Sequence, residues 1–350
     1  MSKLNFFVFL IFISTNLKAQ TAAPTDSISA IKKGLLISGN IDAYVQLNSH
    51  NIAPLTIFTR NSRTFAIGMA NIKLEKNYKK VGFMADLAWG KRPEEANGEV
   101  GSSITNIKQL YVTYLAKPKL KFTIGYFNTF IGYEMVDAPL NNNYSMTYGF
   151  TNGAFYHNGI KADYTFNEHW AAMLGIFNET DKKIDLNGAR SLGGQLSYSN
   201  QKLKVFANYV GGNIAADTSG LLARQLDLTA TYQANDKASF GLNSSAKLYN
   251  RNGKNTNWLT NALYFNYKYN DHWLFSSRAE YFTDTDGEAL GALKNSIFNA
   301  TFTINYKIDD LRFLLEARTD NATQAIFQNT TDPNFYNQFQ TLLFATVYSF

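Results

Sequence analysis

Phe298-Asn-Ala-Thr-Phe-Thr-Ile-Asn-Tyr306 is the stretch that decides the fold. Phe298, Ala300, Phe302, Ile304 and Tyr306 alternate with Asn299, Thr301, Thr303 and Asn305. A period of two places the apolar row on one face of a strand and the polar row on the other. Working outward, the same alternation recurs. Ile37, Gly39, Ile41, Ala43, Val45 and Leu47 oppose Ser38, Asn40, Asp42, Tyr44 and Gln46. Val81, Phe83, Ala85, Leu87 and Trp89 oppose Asp86, and Leu120, Phe122, Ile124 and Tyr126 oppose Lys119, Lys121 and Thr123. Leu226, Leu228, Ala230 and Tyr232 oppose Gln225, Asp227, Thr229 and Thr231. Residues 63–76 have no clear phase, and a strand is placed there by its neighbours.

The connections fall into two classes. Short ones carry Asn, Asp, Pro or Lys, as in Asn77–Lys80, Lys117–Lys119, Asn167–His169, Ser199–Gln201, Ala234–Lys237, Asn270–His272 and Lys307–Asp310. Between them lie longer polar segments at 48–62, 91–106, 128–153, 179–189, 211–221, 250–256, 284–294 and 320–338. Strict alternation of these connections predicts an all-β chain of about sixteen strands. The expected form is a transmembrane antiparallel β-barrel with short periplasmic turns and long external loops. With strands about 4.8 Å apart and tilted about 40°, such a cylinder is about 30 Å across. That is too wide for these side chains to fill, so the polar rows face a watery lumen and the aromatic and aliphatic rows face lipid. Closure leaves no unpaired edge in the bilayer.

The 350-residue chain is rich in Tyr (21) and Phe (27), poor in Pro (6) and free of Cys. Disulfides and lipid attachment through Cys are therefore excluded, and stability rests on backbone pairing and packing. Residues 1–19 place Lys3 before the apolar block Phe6–Ile13 and end on Leu17-Lys18-Ala19. This is a secretory signal peptide pattern, too short to span a bilayer. Residues 20–34 read as a flexible lead-in and 35–350 as the barrel. Removing Lys3 and Lys18 lowers the formal charge from +6 to +4, and no basic cluster exists to hold nucleic acid. No cofactor is implied.

The last stretch, Gln340-Thr-Leu-Leu-Phe-Ala-Thr-Val-Tyr-Ser-Phe350, carries Leu342, Phe344, Thr346, Tyr348 and Phe350 on one face. By itself the row also suits the core of a soluble sandwich. In a sixteen-strand barrel it is the closing strand, with Tyr348 and Phe350 resembling the signal read by the barrel-assembly machinery. The opposite face, Leu343, Ala345 and Val347, is less polar than a lumen wall should be. Trp170 and Trp273 follow the matching turns Asn-Glu-His and Asn-Asp-His, as expected of a periplasmic aromatic girdle or of shared hairpin chemistry.

Residues 125–166 differ from the rest. Gly125-Tyr-Phe-Asn-Thr-Phe-Ile-Gly-Tyr-Glu134, then Asn143-Tyr-Ser145, then Phe155-Tyr-His157-Asn-Gly159 stand close together. Over about residues 125–178 the chain resembles the OmpL-like family of outer-membrane β-barrel porins; the family pattern has Thr where Asn158 stands. The resemblance implies a Gram-negative outer-membrane diffusion channel for small hydrophilic solutes, bounded by lipid and lipopolysaccharide and able to form homo-oligomers. The segment 128–153 is the longest connection without a strand of its own. It is placed like the loop that folds inward in sixteen-stranded general porins.

On that layout Glu134 and Asp137 are expected at a pore constriction, facing Lys119, Lys121, Lys161 and Lys204 across a transverse field. The alternative is that both acids cap turns of an external loop. Other lumen-facing charges are Lys108, Lys247, Lys268, Arg278, Arg312 and Arg318 against Asp42, Asp86, Asp163, Asp227, Glu280 and Glu316, which predicts mild anion preference. His157 is expected to pack the inward loop. An enzyme would need a nucleophile beside a His and a carboxylate, but His157 and Asp163 lie about 20 Å apart along their strand. His50, His169 and His272 lie in connections. Asp284-Thr-Asp286-Gly-Glu288 echoes the start of a calcium loop without its full ligand spacing, and reads as a solvated loop. A structural or adhesive barrel, binding partners through 48–62 and 320–338, stays open.

Overall fold

A computed structural model describes residues 34–49, 52–97, 103–184, 188–213, 221–329 and 333–350. The signal-peptide reading, nearly all of the lead-in and His50 lie outside the described residues. The first eight strands are β1 (Leu36–Asn48), β2 (Ala66–Tyr78), β3 (Val81–Trp89), β4 (Ile107–Lys117), β5 (Leu120–Asn128), β6 (Tyr156–Thr165), β7 (Trp170–Asn178) and β8 (Arg190–Ser199). Then come β9 (Leu203–Asn213), β10 (Leu221–Gln233), β11 (Ala238–Arg251), β12 (Lys254–Lys268), β13 (Trp273–Asp284), β14 (Asn295–Ile308) and β15 (Leu311–Ala322). A small hairpin, β16 (Phe327–Gln328) with β17 (Phe335–Tyr336), precedes β18 (Gln338–Ser349). All but that hairpin form one closed antiparallel barrel of sixteen strands. The ring closes where β18 pairs with β1, from Asn40 opposite Ser349 to Asn48 opposite Thr341. Phe350 and Gly39 exchange two further backbone hydrogen bonds of 3.0 and 3.1 Å.

The faces sort as the alternation predicts. Phe298 and Phe302 on β14 are each 46% exposed, whereas Asn299 and Thr303, each the next residue along, are fully buried. Apolar side chains cover the outside of the cylinder and polar ones line much of the inside, with apolar clusters such as Trp258 with Phe282 and Leu314 with Leu343 among them. This is the inverse of a soluble barrel and suits a hydrocarbon surround.

Residues 63–76, without clear phase in sequence, supply β2 from Ala66 onward. The seven short connections are tight turns. In four of them an Asn side chain accepts two backbone N–H groups, a local bond that folds the chain back without help from neighbours. Asn167 takes those of His169 and Trp170, and Asn270 those of His272 and Trp273, all at 2.9 Å. Asn200 and Asn235 act in the same way.

One of the expected long loops is absent. Residues 250–256 are not a loop, because β11 and β12 pair out to Arg251 opposite Lys254. Asn252 (φ 51°) and Gly253 (φ 86°) alone make the turn. Positive φ at both central residues matches the twist of the flanking strands, so Asn-Gly closes a two-residue hairpin. Long and short connections therefore do not alternate strictly.

Candidate functional site

Residues 129–155, between β5 and β6, cross the barrel interior. The Thr129 N–H donates to the Phe155 carbonyl at 3.0 Å, closing the neck of the segment. The Gly132 N–H then donates to Asp227 on β10 at 3.0 Å. The Tyr133 ring stacks on Tyr264 of β12, 4.1 Å between centroids. Gly241 of β11 makes room for it, since a Cβ there would meet the Tyr133 hydroxyl at 2.6 Å. Five residues after Gly132, Asp137 takes Lys73 of β2 at 3.0 Å. β10 and β2 stand eight strands apart either way round the ring, so one short run of chain joins opposite walls.

The return leg is anchored as densely. Arg312 of β15 donates to the Ala138 carbonyl at 2.7 Å. Glu316 of β15 accepts the N–H groups of Tyr144 (2.6 Å) and Ser145 (3.0 Å). Glu280 of β13 accepts those of Tyr148 (2.9 Å) and Gly149 (2.8 Å), at the start of the short helix Tyr148–Thr151. Arg318 donates to the Met146 carbonyl at 2.6 Å. Ala138 and Tyr144 also cover Tyr44, Leu314, Leu343, Ala345 and Val347. The weakly polar inner face of the closing strand is thus the seat of this segment rather than bare lumen wall.

Glu134 and Asp137 are both buried, at 4% and 1% exposure. Glu134 pairs with Arg278 of β13 at 2.6 Å and accepts the N–H and hydroxyl of Thr147, each at 2.8 Å. Asp137 takes Lys73, Asn40 and Lys108, and Lys108 also binds Asp86 at 2.9 Å. Burial alone would push the Asp137 carboxyl up. The Lys108 and Lys73 ammonium groups outweigh that and hold it well below the usual carboxylate range. Arg92, in the helix Lys91–Ala96, donates to Asp42 (3.3 Å) and to the carbonyls of Val136 and Tyr144 (3.2 Å each). Buried charges hold together in this way only when each finds a partner.

The pairing expected from sequence is corrected here: none of Lys119, Lys121, Lys161 and Lys204 meets Glu134 or Asp137. Lys119 donates to the Phe166 carbonyl at a short turn, at 2.9 Å. Lys121 and Lys161 stand 3.8 and 3.2 Å from Asp163, and Lys204 is half-buried on β9. These lysines sit on the β5, β6 and β9 arc, whereas the two acids reach β13 and the β2–β4 arc. The inward parity of Arg278 and Lys108 is readable in sequence, whereas the roles of Lys73 and Arg92 are not. Residues 63–76 lack a clear phase, and Arg92 sits on a helix within a connection.

Comparison with known proteins bears on the whole barrel. Residues 34–350 match the family described as "Putative beta-barrel porin-2, OmpL-like". The chain belongs to that family of porins. No curated protein matches the sequence. Among solved structures it is similar to the anion-selective porin from Comamonas acidovorans, with a TM-score of 0.66, 12% identity, and 91% of this chain and 99% of that one covered. The outer membrane channel DcaP of Acinetobacter baumannii gives 0.60 at 11% identity, over 90% and 97% of the two chains. OmpT of Vibrio cholerae, an outer-membrane protein, gives 0.57 at 11%, again over 90% and 97%. At such identities these likenesses concern the fold.

The remaining residues of this OmpL-like barrel fall into place around the segment. His157 stacks on Phe130, 4.7 Å between ring centroids, and its Nε2 lies 3.0 Å from the Thr129 hydroxyl, at the neck. Trp170 and Trp273 lie on the outer face beside Tyr198 and Tyr306, at 5.0 and 4.6 Å. Tyr348 and Phe350 are also outward, with rings 6.3 Å apart. In the Asp284–Glu288 loop the carboxylates are engaged by the chain itself. Asp284 accepts the N–H groups of Gly287, Glu288, Ala289 and Leu290. Glu288 takes Arg251 and Thr256, and Asp286 takes the Asn257 N–H.

Proposed function

We propose that this barrel is an outer-membrane channel for passive passage of small hydrophilic solutes, narrowed by residues 129–155. One observation carries the reading: a closed sheet with an apolar outside and a charged inside is crossed, wall to wall, by a segment bonded to strands from β10 round through β15 and β1 to β4, while the charges of β5 and β6 stay open. Glu134 and Asp137 act as anchors of the constriction rather than as its solute-facing ring. On the β5–β6 arc the ammonium groups of Lys121 and Lys161 share the single carboxylate of Asp163, and all three side chains are 22–48% exposed. That excess of positive charge favours anions.

The short turns would face the periplasm, with Trp170 and Trp273 at the interface. Tyr348 and Phe350 would serve the assembly machinery, and normal assembly of a chain lacking Phe350 would remove that role. Purified protein in a planar bilayer should give discrete conductance steps and a reversal potential indicating anion preference. A silent bilayer would favour an adhesive barrel instead, and cation preference would overturn the selectivity.

A further inference from the structure

A recess of about 180 Å³ opens at the long-loop end, above the β8–β11 wall. Roughly 10–15 Å³ suffices for one water, so it has room for a larger guest. Its wall carries polar atoms that the fold leaves unused. Ser191 and Gln225 are 1% and 2% exposed, and neither the Ser191 Oγ nor the Gln225 Oε1 has a hydrogen-bond partner. Asp181 spends one oxygen on the N–H groups of Phe155 (2.8 Å) and Tyr156 (3.1 Å), and its other oxygen has no hydrogen bond among the described residues. Among the described residues the Lys247 ammonium makes one hydrogen bond, a long one of 3.4 Å to the Asn152 carbonyl of the crossing segment, and lies 5.8 Å from the centroid of the Tyr249 ring. Val210 and Tyr249 supply apolar surface between these groups.

We propose that this recess binds a small neutral polyhydroxylated solute, a sugar in chemical class, on the external side of the crossing segment. Two acceptors (Asp181, Gln225) and two donors (Lys247, Ser191) interleave around an apolar patch. Hydroxyl groups both donate and accept, and a sugar ring also offers a C–H face to Val210 and Tyr249. A net anion would meet the Asp181 carboxylate, and a net cation the Lys247 ammonium. The site deepens the porin reading by naming a solute class for it, and rests on that reading only for the direction of transport.

The test is calorimetric titration of the full-length barrel in detergent with glucose and, in parallel, with glycine as a zwitterion. Saturable glucose binding is expected, weakened about tenfold by Ser191→Ala and by Gln225→Leu, the loss of roughly one hydrogen bond each. Should Gln225→Leu fail to fold, Ser191→Ala decides, since it removes only a hydroxyl that has no partner in the fold. Absence of saturable glucose binding, equal binding by Ser191→Ala, or tighter binding of glycine overturns the proposal. In planar bilayers glucose added on the long-loop side should reduce salt conductance, and Ser191→Ala should conduct salt normally with that block relieved. Glucose binding by an electrically silent barrel supports the recess and removes the porin reading. Steady conductance without glucose binding does the reverse.

Discussion

The two sides of this lumen are built from the same alternating strands and used differently. On the β13–β15 and β1–β4 side, Arg278, Arg318, Lys108, Asp86, Glu280 and Glu316 are all at most 5% exposed and engaged by the crossing segment or by each other. On the β5–β6 side, Lys121, Lys161 and Asp163 remain 22–48% exposed. The difference teaches that an inward charge in a barrel has two separate uses. Where the segment lies on the wall, charge fixes the segment. Where it does not, charge stays open to the lumen, where the proposed channel would present it to a passing ion.

The comparison can be broken first at Arg278. Arg278→Met leaves the buried Glu134 carboxylate without its cation and should cost about 3–5 kcal/mol. The expected readouts are a lower melting temperature and a larger, noisier single-channel conductance. Wild-type values for both would mean that the covered side does not hold the segment. A smaller effect is expected at Asp137, because Lys108 and Lys73 keep Asp86 nearby. Asp137→Asn should loosen the segment by about 1–3 kcal/mol at neutral pH.

The pH dependence follows from the depressed Asp137 carboxyl. A group whose folded pKa lies below its unfolded value, 3.8 here, gives its full stabilisation above that value and loses it as pH falls through the folded pKa. Limited digestion with pepsin should therefore leave 129–155 uncut down to about pH 4 in the wild type, and cut it at higher pH in Asp137→Asn. Identical cleavage profiles would sink the anchor. The least effect on stability belongs to the open side. Lys121→Gln with Lys161→Gln should change unfolding by less than about 0.5 kcal/mol while moving the reversal potential toward cation preference. An unmoved reversal potential would show that ions do not pass along β5 and β6.

What could be read in sequence follows the range of the interaction. Phe298–Tyr306 declares its strand and both faces because a period of two is local. The Asn167 and Asn270 turns are equally local, their bonds reaching two or three residues. Residues 250–256 look like a loop by polar composition, yet the backbone preference of Asn252-Gly253 closes a two-residue hairpin there. The inward parity of Arg278 was legible, yet its partner Glu134 lies 144 residues away. Glu134 sits in a segment with no period to fix its path, so the nearest inward lysines looked like its partners. Leu343, Ala345 and Val347 were the one visible sign of what covers that wall, since an apolar lumen face implies a cover.

That cover has a consequence for how the barrel is made. Leu343, Ala345 and Val347 are among the last residues of the chain, whereas Ala138 and Tyr144, which shield them, come from its middle. Until both are in place, the ring's closing strand shows hydrophobic surface on each side. Zipping of β18 onto β1 and docking of the 138–144 chain should therefore be a single cooperative event rather than two successive ones. Hydrogen exchange would read this as one shared opening rate for the amides of Leu343, Ala345 and Tyr144, and separate rates would divide the event in two.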